Sequence, residues 1–169
     1  MSTTAKSLNS QRFFGIALAL MTWFAIILQL LITTESYTNF FSYFTILSNI
    51  LVAVGLSCAI FIPHTKLGNY CASISVQSAI ALYIFIVGLV YNLVLRGIWE
   101  PKGWQLLADN LLHVAVPLLY VLYWLVFIPK GTLTWKDGIV WAYFPLVYLI
   151  YSLIRGQFDG LVPLPLFKR

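Results

Sequence analysis

Five apolar stretches, each about 17 to 25 residues long, take up most of this chain and dictate what it can become. They run Phe13 to Ile32, Phe40 to Ile62, Ser73 to Leu95, Trp104 to Ile128 and Gly138 to Ile154. At a rise of about 1.5 Å per residue, a helix of that length crosses a hydrocarbon layer of about 30 Å. The links between them are short and polar: Thr33 to Asn39, Pro63 to Ala72, Arg96 to Gly103 and Pro129 to Asp137. Of 169 residues, 61% are hydrophobic and only 9% charged, whereas a soluble domain needs about a quarter charged to cover its surface. The pattern predicts an all-α, polytopic transmembrane bundle of about five helices, forming a single integral membrane domain over residues 1–169. The Leu161 to Phe167 segment holds two prolines and is too short to be a sixth span. The first stretch, preceded by Lys6 and Arg12, is too long for a signal peptide and lacks a small-x-small cleavage site, so it reads as an uncleaved helix.

A formal charge of +5 raises the question of nucleic acid, but the basic residues stand singly at helix ends. That is the flanking pattern of membrane spans, and it excludes nucleic acid as a partner. Counting Lys and Arg on the two sides gives a tie. Setting aside Arg96 and Arg155, which look functional, favours a cytoplasmic N-terminus. Cys58 lies inside the second stretch and Cys71 at the start of the third. A disulfide needs both sulfurs at one depth, so two reduced thiols are expected.

Two parts of the chain resemble each other. Phe61-Ile62-Pro63 and Phe127-Ile128-Pro129 each end a helix before a basic loop, and Leu95-Arg96-Gly97 matches Ile154-Arg155-Gly156. This suggests one helical hairpin used twice, with any site lying between the copies.

Polar residues inside the spans carry the functional signal, because an unpaired polar group is costly in lipid. Ser42, Thr45, Ser48 and Asn49 recur at three- and four-residue spacing near the start of the second helix. Asp109, Asn110 and His113 do the same near the start of the fourth, on a face continuing through Pro117, Tyr120 and Trp124. Both helices start on one side of the membrane, which sets Thr45 about 8 Å and His113 about 13 Å below that surface. The third and fifth helices end there, bringing Asn92, Arg96, Ser152 and Arg155, and so does the first with Gln29. The opposite ends offer Lys66, Lys130 and Lys136, which read as solvated loop charges. The tryptophans Trp99, Trp104, Trp135 and Trp141 read as an interfacial belt.

Chemistry narrows the choices. A threonine hydroxyl needs a base, and His113 is the intramembrane residue suited to that work near neutral pH. Asp109, one helical turn away, is placed to orient the imidazole, and Asn49 or Asn110 to donate to an oxyanion. Two histidines, one of them loop residue His64, are too few for a haem or zinc centre. There is no Gly-x-Ser-x-Gly elbow, Walker loop or dinucleotide fingerprint, so no cofactor is expected.

Tyr43-Phe-Thr-Ile-Leu-Ser-Asn49, Leu111-Leu-His-Val-Ala-Val-Pro117, Pro129-Lys-Gly131 and Leu153-Ile-Arg-Gly156 resemble the bacterial branch of the androgen-induced and androgen-dependent membrane protein family. The likeness runs from about Phe13 to Phe167. Mammalian members of that family are intramembrane threonine hydrolases of fatty acid esters of hydroxy fatty acids, with one Thr and one His essential. The matching positions here are Thr45 and His113. Family members usually carry a further hydrophobic helix after a segment like Val162 to Leu166, which this chain does not show.

The expected function is therefore a membrane-embedded lipid ester hydrolase of a bacterial inner membrane. Thr45, His113 and Asp109 are its expected catalytic residues; Arg96, Arg155, Asn49, Asn110, Asn92 and Ser48 are expected to hold the fatty acid ester substrate. The alternative is a non-enzymatic lipid-binding or transport protein using the same polar pocket.

Overall fold

In the computed structural model, residues 3–98 and 100–159 are described, the side chains from Leu8 to Gln157. Trp99 and the Leu161 to Phe167 segment lie outside them. The described residues form helices and no strand. In chain order these are α1 (Thr3–Ile32), α2 (Tyr37–Phe40), α3 (Phe44–Phe61), α4 (Lys66–Ala72), α5 (Ile74–Val90), α6 (Trp104–Asn110), α7 (Val116–Phe127) and α8 (Trp135–Asp159). A π turn, Tyr91–Leu95, prolongs α5, and a second, Leu111–Ala115, joins α6 to α7. Five stretches are long and apolar enough to cross a membrane: Leu8–Ile32, Phe44–Phe61, Ile74–Leu95, Trp104–Phe127 and Trp135–Gln157. The expected multi-pass helical bundle is what the chain forms.

The boundaries differ from expectation for local reasons. The second apolar stretch is broken: Ser36 caps the single turn α2 by accepting from Asn39 N–H at 3.3 Å, and the chain bends at Phe41 and Ser42 before α3 begins. Ser42 thus belongs to a turn and not to the helical face assigned to it. The expected link from Pro63 to Ala72 contains α4. Thr65 accepts from Gly68 N–H at 3.0 Å, a side-chain N-cap followed by a full helical turn. The fifth helix starts at Trp135, where Asp137 accepts from both the backbone N–H and the hydroxyl of Thr134 at 2.8 and 2.9 Å.

Lipid gives helices little hydrophobic reason to associate, so small residues and interhelical hydrogen bonds must hold them. At Gly55 a Cβ would stand 2.7 Å from Ile80 Cδ1, which shows how closely α3 and α5 approach. Trp23 donates to Ser57 at 3.2 Å, Trp124 to Ser78 at 2.8 Å and Trp141 to Ser75 at 3.1 Å. Trp141, expected in the belt, is therefore a tether between helices. Pro145 lies inside α8 and has no N–H for the Trp141 carbonyl; the Tyr83 hydroxyl donates to that carbonyl instead, at 2.7 Å. The core between α1, α3, α5 and α7 includes Leu18, Val52, Leu56, Ile84, Val116 and Tyr120.

The two hairpins are not packed alike. α3 lies against α5, whereas α8 finds its partners on α5 and at the start of α3, where Phe44 meets Phe144 at 5.4 Å and the Tyr148 hydroxyl accepts from Phe44 N–H at 3.2 Å. The repeated helix ends in the sequence do not become repeated packing.

Candidate functional site

Pro117 shapes the site before any polar residue does. It lacks the N–H that an α-helix would direct to the carbonyl of His113, and just ahead of it the backbone widens into a π turn, with Val116 N–H reaching Leu111 O. On the facing helix Gly88 makes room: a Cβ there would lie 2.9 Å from Pro117 Cβ and 3.5 Å from His113 O. One turn beyond Gly88 the Tyr91–Leu95 π turn begins, and its end is marked by Arg96 N–H bonding Tyr91 O at 2.9 Å. The two π turns touch. Such turns insert a residue into a helix and redirect side chains, and they concentrate at functional sites.

Their meeting brings three side chains together. His113 Nδ1 stands 3.2 Å from Asp109 Oδ1 and 3.1 Å from the Asp109 carbonyl. The Tyr91 hydroxyl donates to the other carboxylate oxygen, Asp109 Oδ2, and the Tyr91 ring stacks on the imidazole with centroids 4.4 Å apart and 18° between the planes. Asp109 is 5% exposed and Tyr91 7%, so the carboxylate is enclosed and not solvated. With Nδ1 turned to Asp109, Nε2 has no partner among the described residues. Tyr91 is the member that sequence reasoning missed, because a tyrosine near a helix end reads first as an interfacial anchor. Gly88 one turn earlier was the available clue to a close approach.

Thr45 lies in the first turn of α3, partly buried. Its hydroxyl makes no hydrogen bond among the described residues, whereas Thr22 and Ser42 bond the carbonyls of Leu18 and Thr38 one turn back, at 2.7 and 2.5 Å. One turn farther along α3, Asn49 donates to Thr45 O at 2.8 Å and across to Leu112 O at 3.2 Å. Because α3 and the α6–α7 segment run the same way, this tether brings Thr45 level with Ala108 and Asp109 by helical rise. No hydrogen bond joins Thr45 to His113 among the described residues; the imidazole is turned to Asp109. Ser48 and Asn49 are fully buried, and Ser48 Oγ and Asn49 Oδ1 have no partner among the described residues.

The other expected site residues are placed differently. Asn49 has both amide N–H groups committed to carbonyls, which leaves it none for an oxyanion. Asn110 is exposed and donates to Leu106 O at 2.9 Å, because on a helix it lies about 100° from Asp109 and faces outward. Asn92 is exposed, donates to Gly88 O at 2.8 Å and accepts from Arg96 at 3.0 Å. Arg155 is built into the turn before α3. It donates to Thr38 O and the Tyr151 hydroxyl, at 3.0 and 3.1 Å, and to Ser42 and Asn39 side chains. The two arginines are therefore not a matched pair: Arg96 is exposed at the end of the Tyr91 π turn, and Arg155 clamps a loop. Gln29 accepts from Gln105 at 3.0 Å, and Ser152 is buried with its hydroxyl unpaired among the described residues.

A cleft of about 320 Å³ lies at the opposite end of the bundle, lined by residues such as Arg12, Ile60 and Tyr123. No family model, curated protein or solved structure matches this chain.

Proposed function

We propose that this protein is a membrane-embedded hydrolase of lipid esters, with Thr45 as nucleophile, His113 as general base and Asp109 as the residue that orients the imidazole. The observation that carries this reading is the Asp109 to His113 contact at 3.2 Å, which favours the Nδ1–H tautomer and leaves Nε2 bare to take a proton. The unpartnered hydroxyl of Thr45, in the same layer of the bundle, supports the nucleophile.

The chemistry follows from those groups. His113 Nε2 takes the Thr45 proton as the threonine oxygen attacks the ester carbonyl. The imidazolium returns the proton to the leaving alcohol, and an acyl-threonine remains. Water then gives a proton to Nε2, attacks the acyl carbon, and releases the fatty acid as Thr45 regains its hydrogen. Stacking against Tyr91 and the bond to Asp109 keep the ring from turning away between the two halves. The flanking helices supply apolar walls for acyl chains, and Arg96 offers a cation to a substrate carboxylate. The substrate class is an ester of a hydroxy fatty acid, by the resemblance of the Thr45 and His113 motifs. The bacterial inner membrane is the setting by the same resemblance. A cytoplasmic N-terminus is favoured when Arg96 and Arg155 are set aside from a Lys and Arg count that is otherwise equal on the two sides.

Turnover of a palmitoyl ester of hydroxystearic acid by purified protein in detergent tests the reading. Thr45→Val should lower kcat by about 10³-fold or more while lipid binding persists, and Thr45→Ser should retain part of the rate. Binding without turnover in the wild type would move the assignment to a lipid carrier.

A further inference from the structure

The cleft at the N-terminal end of the bundle plays no part in the proposed hydrolysis. It lies between the start of α1, the end of α3, the start of α5 and the end of α7. Leu8, Ile60 and Ile128 give it apolar walls, and Gln11, Arg12 and Tyr123 give it polar ones. Gln11 donates to the Tyr123 hydroxyl at 3.4 Å, which fixes the polar side. Farther in, the cleft is closed: at Gly15 a Cβ would lie 2.8 Å from Ile60 Cδ1 and 3.6 Å from the Tyr123 ring, so α1 presses directly on both. It is a half-open, amphipathic cleft near the start of the first span.

Charge says what would enter it. On this side of the bundle the described cations are Arg12, Lys66, Lys130 and Lys136, and the described acid is Asp137. Asp137 is occupied by Thr134. Lys130 is folded back on the end of α7, with its ammonium 3.9 Å from the Trp124 ring centroid and bonded to the carbonyls of Trp124 and Ile128. It thus caps the helix end while staying exposed, as expected of a loop charge. Arg12 lines the cleft and has no acidic partner among the described residues. Small-molecule pockets run from about 300 to 1,000 Å³, so about 320 Å³ suits a headgroup and the first part of one chain, not a whole two-chain lipid.

We infer that this cleft is a binding site for the headgroup of an anionic phospholipid drawn from the surrounding bilayer, with its phosphate on Arg12 and its upper chain against Ile60 and Ile128. The guanidinium presents paired N–H groups to phosphate oxygens. Gln11 and Tyr123 add neutral hydrogen-bonding groups beside it.

Native mass spectrometry of the full chain with dioleoylphosphatidylglycerol and dioleoylphosphatidylcholine at equal concentration tests this. Phosphatidylglycerol should be retained about fivefold more than phosphatidylcholine, the difference one basic residue near an anionic headgroup supplies. Arg12→Gln should abolish that preference, whereas Lys136→Gln, the same charge change outside the cleft, should leave it. Ile60→Trp should exclude the retained lipid by filling the pocket, with thermal melting to show that the variant is folded. Equal retention of the two lipids, or equal effects of Arg12→Gln and Lys136→Gln, would overturn the site. Displacement of phosphatidylglycerol by an equal concentration of oleic acid would overturn the phosphate assignment in favour of a carboxylate.

Discussion

Tyr91 and His113 stack ring on ring at 4.4 Å, and both bond the same carboxylate, one on each oxygen of Asp109. The two residues come from π turns on different helices, so their contact records the packing of α5 against the α6–α7 segment as much as any local preference. The imidazole is held by a plane on one side and a charge at its edge.

Removing the Tyr91 hydroxyl separates those two restraints. Tyr91→Phe keeps the stacked ring and leaves Asp109 Oδ2 without its donor in a buried place. Leaving a buried acceptor unpaired costs about 1 to 3 kcal/mol, and reversible unfolding in detergent should show a loss of that size. Turnover should fall with it, because the carboxylate is then free to rotate away from His113. Unchanged stability and rate would show that the hydroxyl has no part in holding the carboxylate.

Gly88 should tolerate no larger residue. Its Cβ would meet Pro117 at 2.9 Å, and the segment that carries Pro117 cannot yield without moving His113. Gly88→Leu should lower the melting temperature and abolish turnover together, while Gly88→Ala should show a smaller loss of both. A Gly88→Leu protein with wild-type melting and rate would show that the close approach of the helices is not needed.

Asn49 distinguishes a tether from an oxyanion donor. As a tether its loss costs on the order of 1 kcal/mol, the usual range for interhelical bonds in membranes, and Asn49→Ala should reduce kcat less than tenfold. Deleting an oxyanion donor reduces kcat about 10²- to 10³-fold. A drop of that size with unaltered melting would place Asn49 in the reaction and contradict the committed N–H groups.

Outside the spans, Tyr43 gives a pH-dependent handle on the turn before α3. Burial first, and then the hydrogen bond and negative charge of Glu35, push the Tyr43 phenol up to about 12; its hydroxyl lies 2.8 and 3.0 Å from the two Glu35 oxygens. The raised value means the folded chain holds this proton more tightly than the unfolded one. The stabilisation is fully present below the ordinary phenol value of about 10 and is lost as pH rises through about 12. In ultraviolet titration, the difference between wild type and Tyr43→Phe should isolate this phenolate, and Glu35→Gln should move its midpoint down toward about 10. An unmoved midpoint in Glu35→Gln would remove Glu35 as a cause.

The spans were legible because length and apolarity are properties of single segments, and lipid leaves the backbone no alternative to the helix. His113 and Asp109 were legible as a pair because one helical turn separates them. Tyr91 was not, since its partnership depends on where α5 meets α6, and nothing in a linear pattern states that register. Arg155 was misread for a related reason: its position at a helix end is shared with Arg96, but its partners come from the Thr38 to Ser42 turn, which the sequence showed as an ordinary apolar helix start. The α4 helix was missed although Thr65 is a good N-cap, because seven residues are too few for a periodic signal.

In the proposed hydrolysis Thr45 is a nucleophile activated by His113. Intact-protein mass spectrometry after exposure to a lipid fluorophosphonate addresses it directly, because the probe reports attack on phosphorus and needs no knowledge of the natural substrate. The wild type should gain one adduct mass, mapped by fragmentation to Thr45; Thr45→Ala should gain none, and His113→Ala should react far more slowly while still melting as a folded protein. An adduct of equal yield in Thr45→Ala, or none in a folded wild type under conditions where lipid binds, would contradict the account.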